Sequence, residues 1–226
     1  MISRAMEDYL KAIYKLGHEV AAGPVTTGAL AEALGVAAPS ATGMLKKLDE
    51  LHLVAYHPRR GVTLTPGGEK VALEVVRHHR LLEAYLAEAL GYGWDEVHDE
   101  ADRLEHHVSD ELEDRMDAAL GYPTVDPHGD PIPSREGVVV AATCRPLTAL
   151  AAGERGAIGR VSDADAGKLR YLAELGLRPG VAVTLLEELP FNGPLRVLVG
   201  PAGAEHLLGR ELAADVFVTL GERRED

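Results

Sequence analysis

The sequence predicts a multidomain α+β protein: a winged helix-turn-helix in front, a helical middle, and a small β-rich domain behind. Three observations predict this. The first 66 residues run helix, helix, helix and hairpin between Gly and Pro breaks, and the next forty carry two apolar helical stripes set with His and carboxylates. Beyond the proline-rich stretch Gly121–Gly137 the pattern changes to short strands and turns. We place the boundaries at 1–72, 73–137 (helices plus linker) and 138–226; 226 residues allow two or three small domains, and a 46% apolar content suffices to give them cores.

From Ser3 to Leu16, Met6, Tyr9, Leu10, Ile13 and Tyr14 form a helical stripe that Gly23-Pro24 ends. Thr26 or Thr27 can cap a short helix through Leu34, and Gly35 stands where a helix-ending glycine belongs. Pro39 opens the next helix, with apolar Ala41, Met44, Leu45, Leu48 and Leu51. Leu53–Tyr56 and Val62–Leu64 flank the basic turn Pro58-Arg59-Arg60-Gly61, a hairpin that reads as a wing. Thr65-Pro66 then supplies an N-cap and a first-turn proline. In this arrangement Pro39, Ser40, Thr42, Lys46, Lys47, Arg59 and Arg60 are the candidate DNA contacts: short hydroxyls near a helix start reach base edges, and cations reach phosphates.

A net charge of −13 alone argues against DNA binding, but the charge is uneven. Asp95–Asp117 holds eleven acids against Arg103 and Arg115, whereas Pro39–Lys70 is net +2. A basic front and an acidic middle suggest separate tasks.

In the helix from Gly67 to Leu90, His79 and Glu83 fall on the apolar stripe, four residues apart and so facing each other. Burying them is costly unless each finds a partner. The following helix, read as starting near Trp94, carries a packing seam of Trp94, Val97, Ala101, Leu104 and Val108, with His98, Asp102, Glu105 and His106 beside it. Imidazole and carboxylate together form the ligand set of a first-row divalent metal. No His-Glu-x-x-His and no glycine-rich phosphate loop accompanies them, so the sequence predicts no enzyme. The competing reading is a metal-dependent hydrolase or metal buffer with an incidental winged helix; Lys46, Lys47, Arg59 and Arg60 favour a regulator.

No apolar run approaches the roughly 20 residues that span a membrane. The charged N-terminus, with Arg4, Glu7, Asp8 and Lys11, is not a signal peptide, and Cys144 is the only cysteine, which suits a reducing cytoplasm.

Three segments, Met6–Leu10, Arg77–Glu83 and Trp94–His106, resemble the diphtheria toxin repressor family of metal-dependent repressors, and the resemblance runs through essentially the whole chain. It implies a winged-helix domain, a helical dimerisation domain and a C-terminal SH3-like (FeoA-like) β-barrel. It also implies a cytoplasmic homodimer that represses metal-uptake genes by binding palindromic operator DNA when Mn(II) or Fe(II) is present. Carried over by position, Asp8, Asp102, Glu105 and His106 match a primary, activating metal site, and His79, Glu83 and His98 an ancillary one. Periodicity does not select Asp8, which would pass for a solvated residue; only the resemblance does. Iron-type members place methionine and cysteine where Asp8 and Asp102 stand, and exchanging sulfur for hard oxygen moves preference towards Mn(II).

After the linker, Leu147, Leu150, Gly153, Gly156, Ile158 and Val161 suggest strands with turns, a helix follows from about Asp165 to Gly176, and Val181–Leu186, Leu195–Val199 and Val216–Leu220 read as further strands. By position, Asp165 is the leading candidate for an ancillary ligand from this domain, with Asp163 a second choice; a helix-start role is the alternative for both.

Overall fold

The computed structural model describes residues 2–19, 23–140 and 142–220. The chain divides into two compact units, both of which draw on the helical middle. The first comprises residues 1–79, 102–113 and 133–138, and the second residues 80–101, 114–132 and 139–226.

The first unit opens with α1 (Arg4–Glu19), α2 (Thr27–Ala33) and α3 (Ala38–Glu50), then the hairpin β1 (Val54–His57) and β2 (Gly61–Leu64), and the first half of α4 (Pro66–Glu88). Thr26 Oγ1 caps α2 by accepting from the Ala29 amide at 3.1 Å, and Thr65 Oγ1 caps α4 from the Gly68 amide at the same distance. Pro39 lies in the first turn of α3, where its missing N–H costs nothing. The wing is antiparallel, with Val54 opposite Leu64 and His57 opposite Gly61, and Val25 bridges to Val62 as a further edge. Two glycines are structural. Gly61 has φ +110° and lies against the Val25 carbonyl, while a Cβ on Gly68 would overlap the Leu53 carbonyl oxygen. Met6, Tyr9, Leu10, Ile13, Leu30, Leu45, Leu48, Val54 and Val62 are buried in this unit. The expected helix-turn-helix and wing are therefore present as read.

The second unit centres on a six-stranded antiparallel sheet in the order β3-β8-β4-β5-β6-β7. These strands are β3 (Arg145–Pro146), β4 (Arg155–Val161), β5 (Ala182–Glu188), β6 (Leu195–Val199), β7 (Ala204–Leu208) and β8 (Val216–Leu220). Together with α7 (Ala166–Glu174), they bury Leu147, Ile158, Leu169, Leu172, Val183, Val197 and Val218. Sequence reading missed β7 and α8 (Arg210–Ala214).

The helix expected from Trp94 differs in the structure. Residues from Val97 to Leu104 form α5, Glu105–His107 tightens into a 3-10 turn, and a separate α6 spans Asp110–Ala119. The expected seam is divided: Trp94, Val97 and Ala101 are buried within their own unit, where Trp94 joins the sheet core, while Leu104 remains 39% exposed.

Candidate metal centre

In the first unit, α1 supplies Glu7, Asp8 and Lys11, α4 supplies His79, and the end of α5 with its 3-10 turn supplies Asp102, Glu105 and His106. Spacing at i and i+4 puts Glu7 and Lys11 on one face of α1. The change from α to 3-10 geometry after Leu104 alters the rotation per residue and sets the directions of Glu105 and His106.

Two groups of donor atoms result, sharing Glu105: Asp8, Glu105 and His106 in one, His79, Asp102 and Glu105 in the other. His106 lies between two carboxylates of α1, with Nδ1 2.7 Å from Glu7 Oε2 and Nε2 2.7 Å from Asp8 Oδ1. That Nε2 is buried and is not aligned to hydrogen-bond Asp8. Glu105 Oε1 lies 3.4 Å from His106 Nε2, and Glu105 Oε2 lies 2.6 Å from His79 Nδ1. Asp102 Oδ1 is 3.2 Å from His79 Nδ1. Burial by itself would raise the carboxyls of Asp102 and Glu105. Bonding to His79 and the adjacent Lys11 charge outweigh it, and both are held below the usual carboxylate range, Asp102 well below.

The structure thus brings Asp8, Glu105 and His106 together as expected, but puts Asp102 with His79 rather than with Asp8. Sequence reading missed Glu7, although it adjoins Asp8 in the quoted Met6–Leu10 segment. Two carboxylates and an imidazole, with Glu105 and His106 side chains each 2% exposed, suit a hard or borderline divalent ion, and a buried ring nitrogen facing an unaligned carboxylate is what such an ion would satisfy.

In the second unit, His98 Nδ1 lies 3.1 Å from Glu83 Oε1 and 3.0 Å from Asp163 Oδ2. The expectation for Asp165 is corrected here: it caps α7, accepting from the amides of Gly167 at 2.7 Å and Lys168 at 3.1 Å, and Asp163 is the carboxylate beside His98. Glu83 also forms a fully buried group with Asp126 and His128. His128 Nε2 donates to the Trp94 carbonyl at 2.6 Å, so Nδ1 is the nitrogen that faces Glu83, at 3.8 Å. Asp126 Oδ1 accepts from the amides of His128 and Asp130, both at 2.9 Å. Burial, then the Glu83 charge, pushes the Asp126 carboxyl up, whereas Glu83 and Asp126 raise the His128 imidazole against its own burial. Both residues sit in the stretch read as a plain linker; a His and two Asp among prolines was the available signal.

The candidate DNA contacts lie on one element and its wing. Pro39, Ser40, Lys46, Lys47, Arg59 and Arg60 are exposed. Thr42 is half-buried, and its hydroxyl donates to the Ala38 carbonyl at 2.9 Å. Arg59 adopts φ +74° at the wing tip. Among the described residues, no helix is long and apolar enough to cross a membrane.

Three family models match in order: the iron dependent repressor N-terminal DNA binding domain over residues 1–62, the iron dependent repressor metal binding and dimerisation domain over 65–134, and the FeoA domain over 145–220. The diphtheria toxin repressor of Corynebacterium efficiens is 32% identical over 193 residues, 80% of this chain and 83% of that protein. The HTH-type transcriptional regulator MntR of Bacillus pumilus is 37% identical over 116 residues, 51% of this chain and 78% of that protein. A solved manganese-dependent transcriptional repressor in complex with manganese superposes with a TM-score of 0.90 at 44% identity, covering 96% of this chain and 100% of that one.

Proposed function

Because this chain belongs to the diphtheria toxin repressor family of metal-dependent transcriptional repressors, DNA-binding regulators rather than enzymes, we propose that it is a cytoplasmic homodimer that answers to Mn(II) in preference to Fe(II) and represses metal-uptake genes at palindromic operators. The observation that carries the metal preference is the donor set of Asp8, Glu105 and His106, oxygen and nitrogen without sulfur. Hard carboxylate oxygens suit manganese, whereas thiolate and thioether favour softer ions. The likeness to a manganese-bound repressor supports the same choice.

Asp8, Glu105 and His106 would hold the divalent ion, whose positive charge would offset the two carboxylates and favour one placement of α1 against the 3-10 turn. The rest is work of the chain. His106, held between Glu7 and Asp8, already ties that turn to α1. α1 packs on α2 and β2, and α2 packs on α3, so the placement of α1 reaches α3, the recognition helix in this reading, through packed contacts. Two such helices, one per protomer, then meet successive major grooves. Exposed Leu104 and Leu112 offer apolar surface to a partner protomer. The proposal is tested anaerobically by titrating Mn(II) and Fe(II) against operator binding. Mn(II) should activate at the lower free concentration, and the reverse order would overturn the preference.

A further inference from the structure

One hydroxyl joins α3 to α4. Thr65 Oγ1 donates to the His52 carbonyl at 2.8 Å and accepts from the Gly68 amide at 3.1 Å, so its proton and a lone pair are both engaged. His52 lies just beyond the last turn of α3 and takes φ +57°, the left-handed conformation that ends a helix. The backbone repeats the tie. The Thr65 amide donates to the Leu53 carbonyl at 3.1 Å, and Gly68 lies so close to that carbonyl that a Cβ has no room. The wing shares the hold, because Asp49, in the last turn of α3, accepts from the Tyr56 amide at 2.9 Å. Capping α4 needs only the acceptor side of the Thr65 hydroxyl. The hydrogen bond donated to His52, 13 residues away in sequence, is additional to the cap.

We propose that Thr65 is a positioning residue for DNA reading: its hydroxyl clasps the C-terminal end of α3 to α4, and α4 carries the state of the metal centre to that end. The inference rests on the metal-dependent reading above and adds a second route to the one through α1. From Pro66 to His79 α4 rises about 20 Å within one unit, and His79 belongs to the donor group with Asp102 and Glu105. A helix passes a shift along its axis because each turn is bonded to the next. Held on α2 alone, α3 would be free to tilt about that contact. A second hold at its C-terminal end fixes its direction as well as its place. Direction sets the distance between the two recognition helices of a dimer, and that distance has to match one turn of duplex, about 34 Å.

Thr65→Asp separates the two roles of the hydroxyl. A carboxylate caps α4 as well as threonine does but has no proton to give the His52 carbonyl. Thr65→Val removes both bonds, and Thr65→Ser keeps both. The full-length proteins are compared by thermal melts, by Mn(II) binding, and by anisotropy in Mn(II) and in chelator. The DNA probes are the operator and two versions with the half-sites moved one base pair closer or further apart. Thr65→Asp should melt close to wild type and bind Mn(II) with an unchanged midpoint. Its gain in operator affinity on adding Mn(II) should nevertheless fall about 3- to 10-fold, the equivalent of one hydrogen bond, and its discrimination against the wrong spacings should fall with it. Both readouts are ratios within one protein, so the charge added by the aspartate cancels to first order. Thr65→Ser should match wild type in both ratios. Should Thr65→Asp fold poorly, Thr65→Val against Thr65→Ser makes the same comparison. Wild-type gain and wild-type spacing discrimination in Thr65→Asp would make Thr65 a helix cap only and overturn the inference while the metal-dependent reading survives; so would a Thr65→Ser that fails as Thr65→Asp does. Wild type whose operator affinity ignores Mn(II) overturns both.

Discussion

In the proposed metal centre Asp8 is the residue that would join the DNA-binding head to the turn carrying Glu105 and His106, and Asp8→Asn tests that link with almost no change in shape. Asp8 Oδ1 lies 2.7 Å from His106 Nε2, and its side chain is 40% exposed. A contact to a charged group contributes about 1.5–3 kcal/mol when buried, and solvent screening at this exposure reduces it to about 1–2 kcal/mol. That corresponds to a shift of about 5- to 30-fold in the Mn(II) concentration that half-activates DNA binding. Fluorescence anisotropy of a labelled operator, titrated with Mn(II), reads the midpoint. At saturating metal the variant should reach wild-type DNA affinity, since no DNA contact is touched. Asp165→Asn is the control. Asp165 caps α7 and is a member of none of the donor groups, so the midpoint of Asp165→Asn should not move. An unshifted midpoint in Asp8→Asn, or an equal shift in the control, would refute the assignment.

Three further outcomes follow from the packing. Glu113 bonds Arg77 Nε at 2.6 Å and His78 at 3.1 Å; burial would raise its carboxyl, but Arg77 and then His78 hold it below its ordinary value of 4.5. Its folded pKa is depressed, so its contribution is full above about pH 4.5 and is lost as pH falls through the folded value. Glu113→Gln, which breaks a buried pair, should cost about 2–4 kcal/mol at pH 7 by denaturant melts, and the gap to wild type should narrow under acid conditions; a gap that widens there is the contrary result. Gly68→Ala forces a methyl against the Leu53 carbonyl and should destabilise by about 1–3 kcal/mol, so an unchanged melting temperature would show that α4 does not approach Leu53 this closely. Leu104→Asp should turn dimer into monomer in sedimentation with little loss of protomer stability, since Leu104 is already 39% exposed within its own chain. A variant that remains dimeric would place the interface elsewhere.

The winged helix was legible because each part carries a local signal: a Thr cap, a Gly after a helix, a Pro in a first turn, a basic hairpin tip. The middle was harder. The spacing from Trp94 to Val108 is regular enough for one helix, but nothing local marks the change to 3-10 geometry at Glu105, and Trp94 faces a sheet core whose strands lie over 50 residues further on. By position Asp165 stood ahead of Asp163, but Asp165 is taken up by two backbone amides of α7, and Asp163 is the one that reaches His98. His128 and Asp126 were passed over because prolines around them read as linker, although a buried imidazole bonded to a distant carbonyl cannot be seen in local pattern. β7 escaped because an edge strand with the sequence Ala-Glu-His-Leu-Leu is mostly exposed and shows no clean alternation.

Operator binding by the intact chain, measured with Mn(II) and again with excess chelator, reaches furthest. Fragments selected from genomic DNA in Mn(II) supply the operator, and anisotropy supplies the dissociation constant at one fixed salt concentration. Coupling between the metal centre and the recognition helices predicts at least tenfold weaker binding in chelator, about 1.4 kcal/mol, with the loss reversed by added Mn(II). Equal affinity in the two conditions would contradict it.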